Sequence, residues 1–337
     1  MIDFRYHLVS LVSVFIALAI GVVLGAGPLR DSIGDTLSSQ VDLLRDDRVQ
    51  LQDQVTSLTS EVEGRDATIE ALAPAAVDGA LTGTRTVVLT LPGADADLAG
   101  ELADDLEDAG GDVTGVVAVQ QAWTDPDGAD ARRRVVASLP ELALAPVAGE
   151  DPEISTALAA ALAGSVTTPD AALVGTASAT GTQVLDALVA ADLVALRGDP
   201  SLRAGSALVV APGGGSVAVT ASADGAATVA DADLGLLSAL ADTAGAVVLT
   251  SPEGAAPGTG LLAALRGDDL AATVSGVDDA GTAAGAVGVV LALREQVEGG
   301  AGQYGARSGD GGVLPPLPQG STAAAEPPDD EPGQEDG

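Results

Sequence analysis

The chain has 337 residues, a formal charge of −35, no cysteine and a hydrophobic share of 47%. At roughly 100–200 residues per domain this is room for one or two folded domains plus appendages, with enough apolar residues for a core. Absent cysteine excludes disulfides and thiolate chemistry. An all-arginine basic set excludes a P-loop or a Schiff-base lysine, and so acidic a chain repels nucleic-acid backbones.

The first element is a run of twenty uncharged residues, Leu8 to Gly27. At 1.5 Å per residue a helix of that length spans about 30 Å, the hydrocarbon thickness of a bilayer. A retained anchor, a cleaved signal peptide and a buried core helix are the alternatives. A signal peptide has a shorter apolar run and an A-x-A-like exit, and Gly25-Ala26-Gly27-Pro28 fits that poorly. The expectation is therefore a short cytoplasmic start at 1–7 and a transmembrane anchor at 8–27. Ser13, Ala17, Gly21 and Gly25 recur every fourth residue, a stripe along which two membrane helices pack closely.

From Leu37 to Leu72 apolar residues follow a 3-4 repeat. Positions a are Val41, Arg48, Val55, Val62 and Ile69. Positions d are Leu37, Leu44, Leu51, Leu58, Arg65 and Leu72. β-Branched residues at a with Leu at d favour a parallel two-stranded coil, and a polar residue at one a position restricts oligomer state. The alternative is one amphipathic helix lying on its own domain. The coil reading predicts a stalk over 30–73, about 54 Å for the repeat itself, stopped at Ala73-Pro74. Ala17, Gly21, Gly25 and the aliphatic heptad positions with Arg48 form the expected dimerisation surface of a parallel homodimer.

Beyond Thr84 the pattern changes to short β-branched runs, each followed by a Pro, Gly or Asp loop and an Ala/Leu-rich helical signal. The strands expected are Thr86–Leu91, Val113–Val119, Ala207–Val210, Ala246–Thr250 and Thr273–Ser275. The helical signals lie at Asp95–Asp108, Ile154–Ala163, Thr182–Ala190, Leu234–Ala244 and Ala283–Val297. Continuous apolar strands alternating with helices predict a mostly parallel, doubly wound α/β domain over 84–300. Strand-then-Pro-Gly recurs at Leu91 and Ala211. The segment 306–337, rich in Pro and acids, reads as a disordered tail.

Chemistry is sparse. Gly213-Gly-Gly215 and Gly258-Thr-Gly260 look like phosphate loops, but the first lacks a following Lys and the second lies too far from its strand. Aspartate pairs at 104–105, 268–269 and 278–279 do not face each other on a helix and read as solvated or capping residues. Trp123 reads as a hydrophobe covering a loop. No catalytic, cofactor-binding or metal-binding residue is assigned, and a non-enzymatic protein without a cofactor is expected.

The opening Asp3-Phe-Arg-Tyr-His-Leu-Val-Ser10, running into Phe15–Gly25, resembles the actinobacterial copper-transport outer-membrane protein family, MctB-like. So do Ser275-Gly-Val-Asp-Asp279, Leu291-Ala-Leu-Arg-Glu-Gln296 and Gly302-Gln-Tyr-Gly305. Absent lysine and the Ala/Gly/Val/Asp/Arg bias look like a high-GC actinobacterium, or like a salt-adapted host. The resemblance implies copper efflux or homeostasis at the cell envelope. It also implies a second role, as the membrane-bound half of a two-protein system in cell separation and wall hydrolysis. Its partners would be the lipid bilayer, a second copy and an envelope protein. The resemblance places the body outside the cytoplasm in a single-pass topology at the cell membrane; an outer-membrane location comes from the family label alone. Copper(I) prefers thiolate or thioether and copper(II) imidazole, and the chain holds only Met1 and His7 of these donors.

Overall fold

The computed structural model describes residues 4–139, 154–213, 229–252, 260–305 and 312–317, without side chains for 24–39, 42, 229 and 230. It divides into two compact units, 1–65 and 66–337. The first unit belongs to α1 (Phe4–Val77), a helix whose start, Phe4–Val23, is long and apolar enough to cross a membrane, with mean hydropathy 2.3 and no burial among the described residues.

The second unit begins with the last turns of α1. The helix does not stop at Ala73-Pro74 but continues to Val77. Proline removes one N–H from the ladder. The next bond, from the Asp78 N–H to the Pro74 carbonyl at 2.9 Å, is intact, and Val77 packs on the body's apolar side chains.

The order continues β1 (Arg85–Thr90), α2 (Ala96–Asp108), β2 (Asp112–Val119), α3 (Ala129–Ser138), α4 (Ile154–Val166), α5 (Ala179–Ala190) and β3 (Val194–Gly198). Then come β4 (Ser206–Val210), α6 (Val229–Thr243), β5 (Ala246–Thr250), α7 (Leu261–Arg266), β6 (Ser275–Val277), α8 (Ala283–Val297) and β7 (Gln303–Tyr304). Among the described residues the strands form one seven-stranded sheet, ordered β3-β2-β1-β4-β5-β6-β7. All pairings are parallel except β2 with β3.

Side chains alternate across a strand, and here alternate residues enter different clusters. Val87 and Leu89 of β1, Val209 of β4 and Leu249 of β5 pack with α4, α5, α6 and α7 through Leu162, Leu188, Leu240 and Leu265. Val88, Leu208 and Val248 pack with α2 and α8 through Leu102, Leu106, Val289 and Leu293. Leucine, valine and alanine supply nearly all of this core. Trp123 is buried in the first cluster, as a covering hydrophobe should be, and Tyr304 in the second.

The predicted β5 and α8 coincide with the observed elements. The strand expected at Thr273–Ser275 instead occupies Ser275–Val277, because a 3-10 turn at Asp269–Ala272 uses up the preceding residues. β3, β7, α3 and α7 were not anticipated. β3 is an edge strand with four of its five residues exposed, and its apolar run is only Val194 to Leu196 before Arg197.

Candidate functional site

The residues expected to dimerise lie on α1. Ala17 and Gly21 sit in the apolar stretch, where a side chain added at Gly21 would meet nothing within 4 Å. The side chains of Gly25 and Leu37 lie outside the described residues. In the first unit Val41, Leu44, Arg48, Leu51, Val55, Leu58 and Val62 are all exposed, Leu44 to 68%. In the second unit Ile69 is half-buried and Leu72 exposed. Exposed aliphatic side chains repeating along one helix are an unfilled apolar surface.

The carboxyl ends of the parallel strands form a second region of interest. In the sheet β2 and β3 lie on one side of β1 and β4 to β7 on the other, so the strand order reverses between β1 and β4. Open α/β sheets bind ligands at such a reversal. The two Pro-Gly exits noted in the sequence meet here. Pairing of Thr90 with Val210 and of Val210 with Thr250 puts Pro92, Pro212 and Pro252 in one row beyond the ladder. A Cβ on Gly93 would lie 3.7 Å from Pro212 Cβ. Ser251 is buried in this row, and its hydroxyl has no hydrogen-bond partner among the described residues. Asp233 of α6 is buried too, and desolvation lifts its carboxyl to about 7. The remainder of both glycine-rich loops, 214–228 and 253–259, lies outside the described residues, which leaves the phosphate-loop reading without a geometric basis.

The three C-terminal stretches that carried the family resemblance converge on one polar network. Gln296 of α8 donates to the Ser275 hydroxyl at 3.0 Å and to the Thr273 carbonyl at 3.0 Å. Ser275 also accepts from the Gly302 N–H. The Tyr304 hydroxyl donates to Glu295 Oε2 at 2.5 Å; burial first, and then that carboxylate, push the phenol up. Arg266 of α7 bridges the Asp278 carboxylate at 3.1 Å and the Tyr304 carbonyl at 2.9 Å. At Gly305, with φ +116°, a Cβ would stand 1.7 Å from Asp278 Oδ1, so the position requires glycine. These residues fasten β6, β7 and α8 together; their chemistry is structural. Asp268 likewise caps a turn, accepting from the Leu270 N–H.

Sequence reasoning missed a third region. A groove of about 840 Å³ opens between the last turns of α1, α2 and the start of α8. Its floor includes Leu98, Leu102, Val287 and Val290, and its walls carry Glu70, Asp78, Glu101, Asp105 and Asp108, with no arginine among the described lining residues. Burial raises the Asp105 carboxyl, and Asp108, Glu101 and Asp104 raise it further. Among the described residues no group of three or more His, Cys, Asp or Glu side chains is placed to hold a metal ion.

A membrane-length apolar helix joined to a mostly parallel α/β body defines the class: a mixed α/β protein fit for membrane anchoring. The family model described as copper transport outer membrane protein, MctB, matches residues 1–315, and the chain belongs to that family. It is 34% identical over 138 residues to the copper transporter MctB of Mycobacterium tuberculosis (strain ATCC 25618 / H37Rv), covering 41% of this chain and 44% of that protein. Identity to the copper transporter MctB of Mycobacterium leprae (strain TN) is also 34%, over 145 residues with the same coverage. The matched region thus spans less than half the length of these curated relatives.

Proposed function

We propose that this chain serves copper efflux or homeostasis at the cell envelope as a single-pass membrane protein with its body outside the cytoplasm. The observation that carries the reading is family membership over residues 1–315. The apolar helix Phe4–Val23 supports anchoring, and the exposed aliphatic face of α1 supports a parallel two-stranded coil. The body is read as a doubly wound α/β domain without catalytic function.

In this reading the body does not ligate copper. Soft donors suit copper(I) and imidazole suits copper(II), and the chain holds no cysteine, one methionine and one histidine. The protein instead holds a domain near the membrane, where it organises other envelope components. Recruitment of a partner in cell separation or wall remodelling is the second reading, favoured by the groove on the body.

Deletion of the gene in its own host tests the proposal. Cells lacking the protein are expected to accumulate copper and to grow poorly on added copper, with both defects restored by the full-length chain. Unchanged copper content and tolerance would remove the copper role.

A further inference from the structure

We infer that the acidic groove between α1, α2 and α8 is a docking site for a basic amphipathic helix of a partner protein. Its floor is apolar, which calls for an apolar face on the occupant. Glu101, Asp105 and Asp108 follow one another at i, i+4 and i+7 on α2, so they line a single stripe beside that floor. Like charges at that spacing destabilise a helix by themselves. No arginine among the described lining residues offsets them, and Glu70 and Asp78 add two further carboxylates from the α1 side. A cationic partner would relieve the repulsion while its apolar side chains fill the floor.

The stripe from Leu98 to Asp108 is about 15 Å long at 1.5 Å per residue, the length of two to three helical turns. Anionic occupants are disfavoured by the same carboxylates. That excludes phosphate headgroups, the acidic tail at Glu326–Asp336 and a second copy of a chain with 49 acidic and 14 basic residues. On α1 the groove takes Glu70, Ala73, Pro74 and Val77, none of them at an a or d position of the repeat, while Leu72 faces away and is exposed. A partner in the groove and a partner on the repeat therefore do not compete for the same side chains. The inference stands whether or not copper is the cargo.

The test uses the full-length chain in zwitterionic nanodiscs and a fluorescent 18-residue Leu/Lys amphipathic peptide, read by anisotropy above protein-free nanodiscs. Saturable binding is expected, lost for the same peptide with its leucines replaced by serine. Glu101→Lys with Asp108→Lys reverses two exposed charges and should weaken binding at least about tenfold. Ala283→Trp, which fills the groove from α8, should do the same without changing charge. Asp186→Lys with Asp242→Lys, exposed positions on α5 and α6, makes the same charge change elsewhere and should alter affinity less than about twofold. Absence of saturable binding would overturn the inference, as would equal loss in both double variants, undiminished binding with Ala283→Trp, or retention by the serine peptide.

Discussion

Gln296 donates its side-chain amide to the Ser275 hydroxyl at 3.0 Å, joining α8 to β6 across 21 residues of chain. The same amide reaches the Thr273 carbonyl, so one buried side chain ties the helix to the strand and to the turn before it. Two of the stretches that mark the family are thus two halves of one contact, completed by Gly302 from the third.

Gln296→Leu keeps the volume near Thr273 and removes both donated bonds. Losing bonds to buried acceptors costs about 1–3 kcal/mol, so the full-length variant should unfold at correspondingly lower denaturant with the same slope. An unchanged midpoint would show the network to be incidental to stability.

Tyr304 gives an alkaline signature. Its folded-state phenol lies above the usual 10.0, through burial and then the Glu295 carboxylate. The stability this contributes is present below pH 10 and is lost as pH rises beyond that value. Tyr304→Phe should cost about 1 kcal/mol at neutral pH and should remove this share of the decline above pH 10, seen by denaturation at pH 7 and pH 10.5. A decline of the same size in the variant would count against the assignment.

Asp233 has the same sign in a lower window. Burial lifts its carboxyl from 3.8 to about 7, so the fold favours the protonated form. Its stabilising contribution is complete below about pH 4 and is lost as pH rises to 7, leaving a buried carboxylate above. Asp233→Asn should therefore change stability little at pH 4 and increase it towards pH 8. The ceiling is about 4 kcal/mol at 1.36 kcal/mol per unit, less what the amide itself loses on burial. Denaturant midpoints from pH 4 to pH 8 measure it, and a pH-independent difference would refute the titration.

Gly21 separates folding from association. In the single chain a side chain there meets nothing, so Gly21→Leu leaves the helix undisturbed. If two anchors pack through the small-residue stripe, the larger side chain forces them apart. Sedimentation equilibrium in detergent should then show dimer association weakened about tenfold or more, roughly 1.4 kcal/mol. Identical behaviour of variant and parent would remove the anchor from the dimer interface.

Local chemistry made much of the body readable from the chain. β5 and α8 appear where the pattern predicts, because a continuous valine-rich run and a helical period with a Thr282 cap need no distant partner to be recognised. Asp95 caps α2 in the same self-contained way. The repeat from Leu37 to Leu72 is equally local, and its aliphatic face is exposed along much of α1.

Other features depend on neighbours the sequence does not name. β3 was missed because its pairing comes from Gly115 to Val119, some 80 residues earlier, and of its own residues only Val194 is buried. Glu70, Glu101 and Asp105 each read as ordinary solvated acids. Only the packing of α1, α2 and α8 around one apolar floor turns them into the wall of a groove. Sequence alone determined the apolar helix, the repeat, the strand-and-helix alternation and the family, since each is written in residues close together along the chain. Tertiary structure decided the strand order, the meeting of Gly93 with Pro212 and the shared network of Ser275, Gln296 and Gly302, because these depend on which distant surfaces pack against each other.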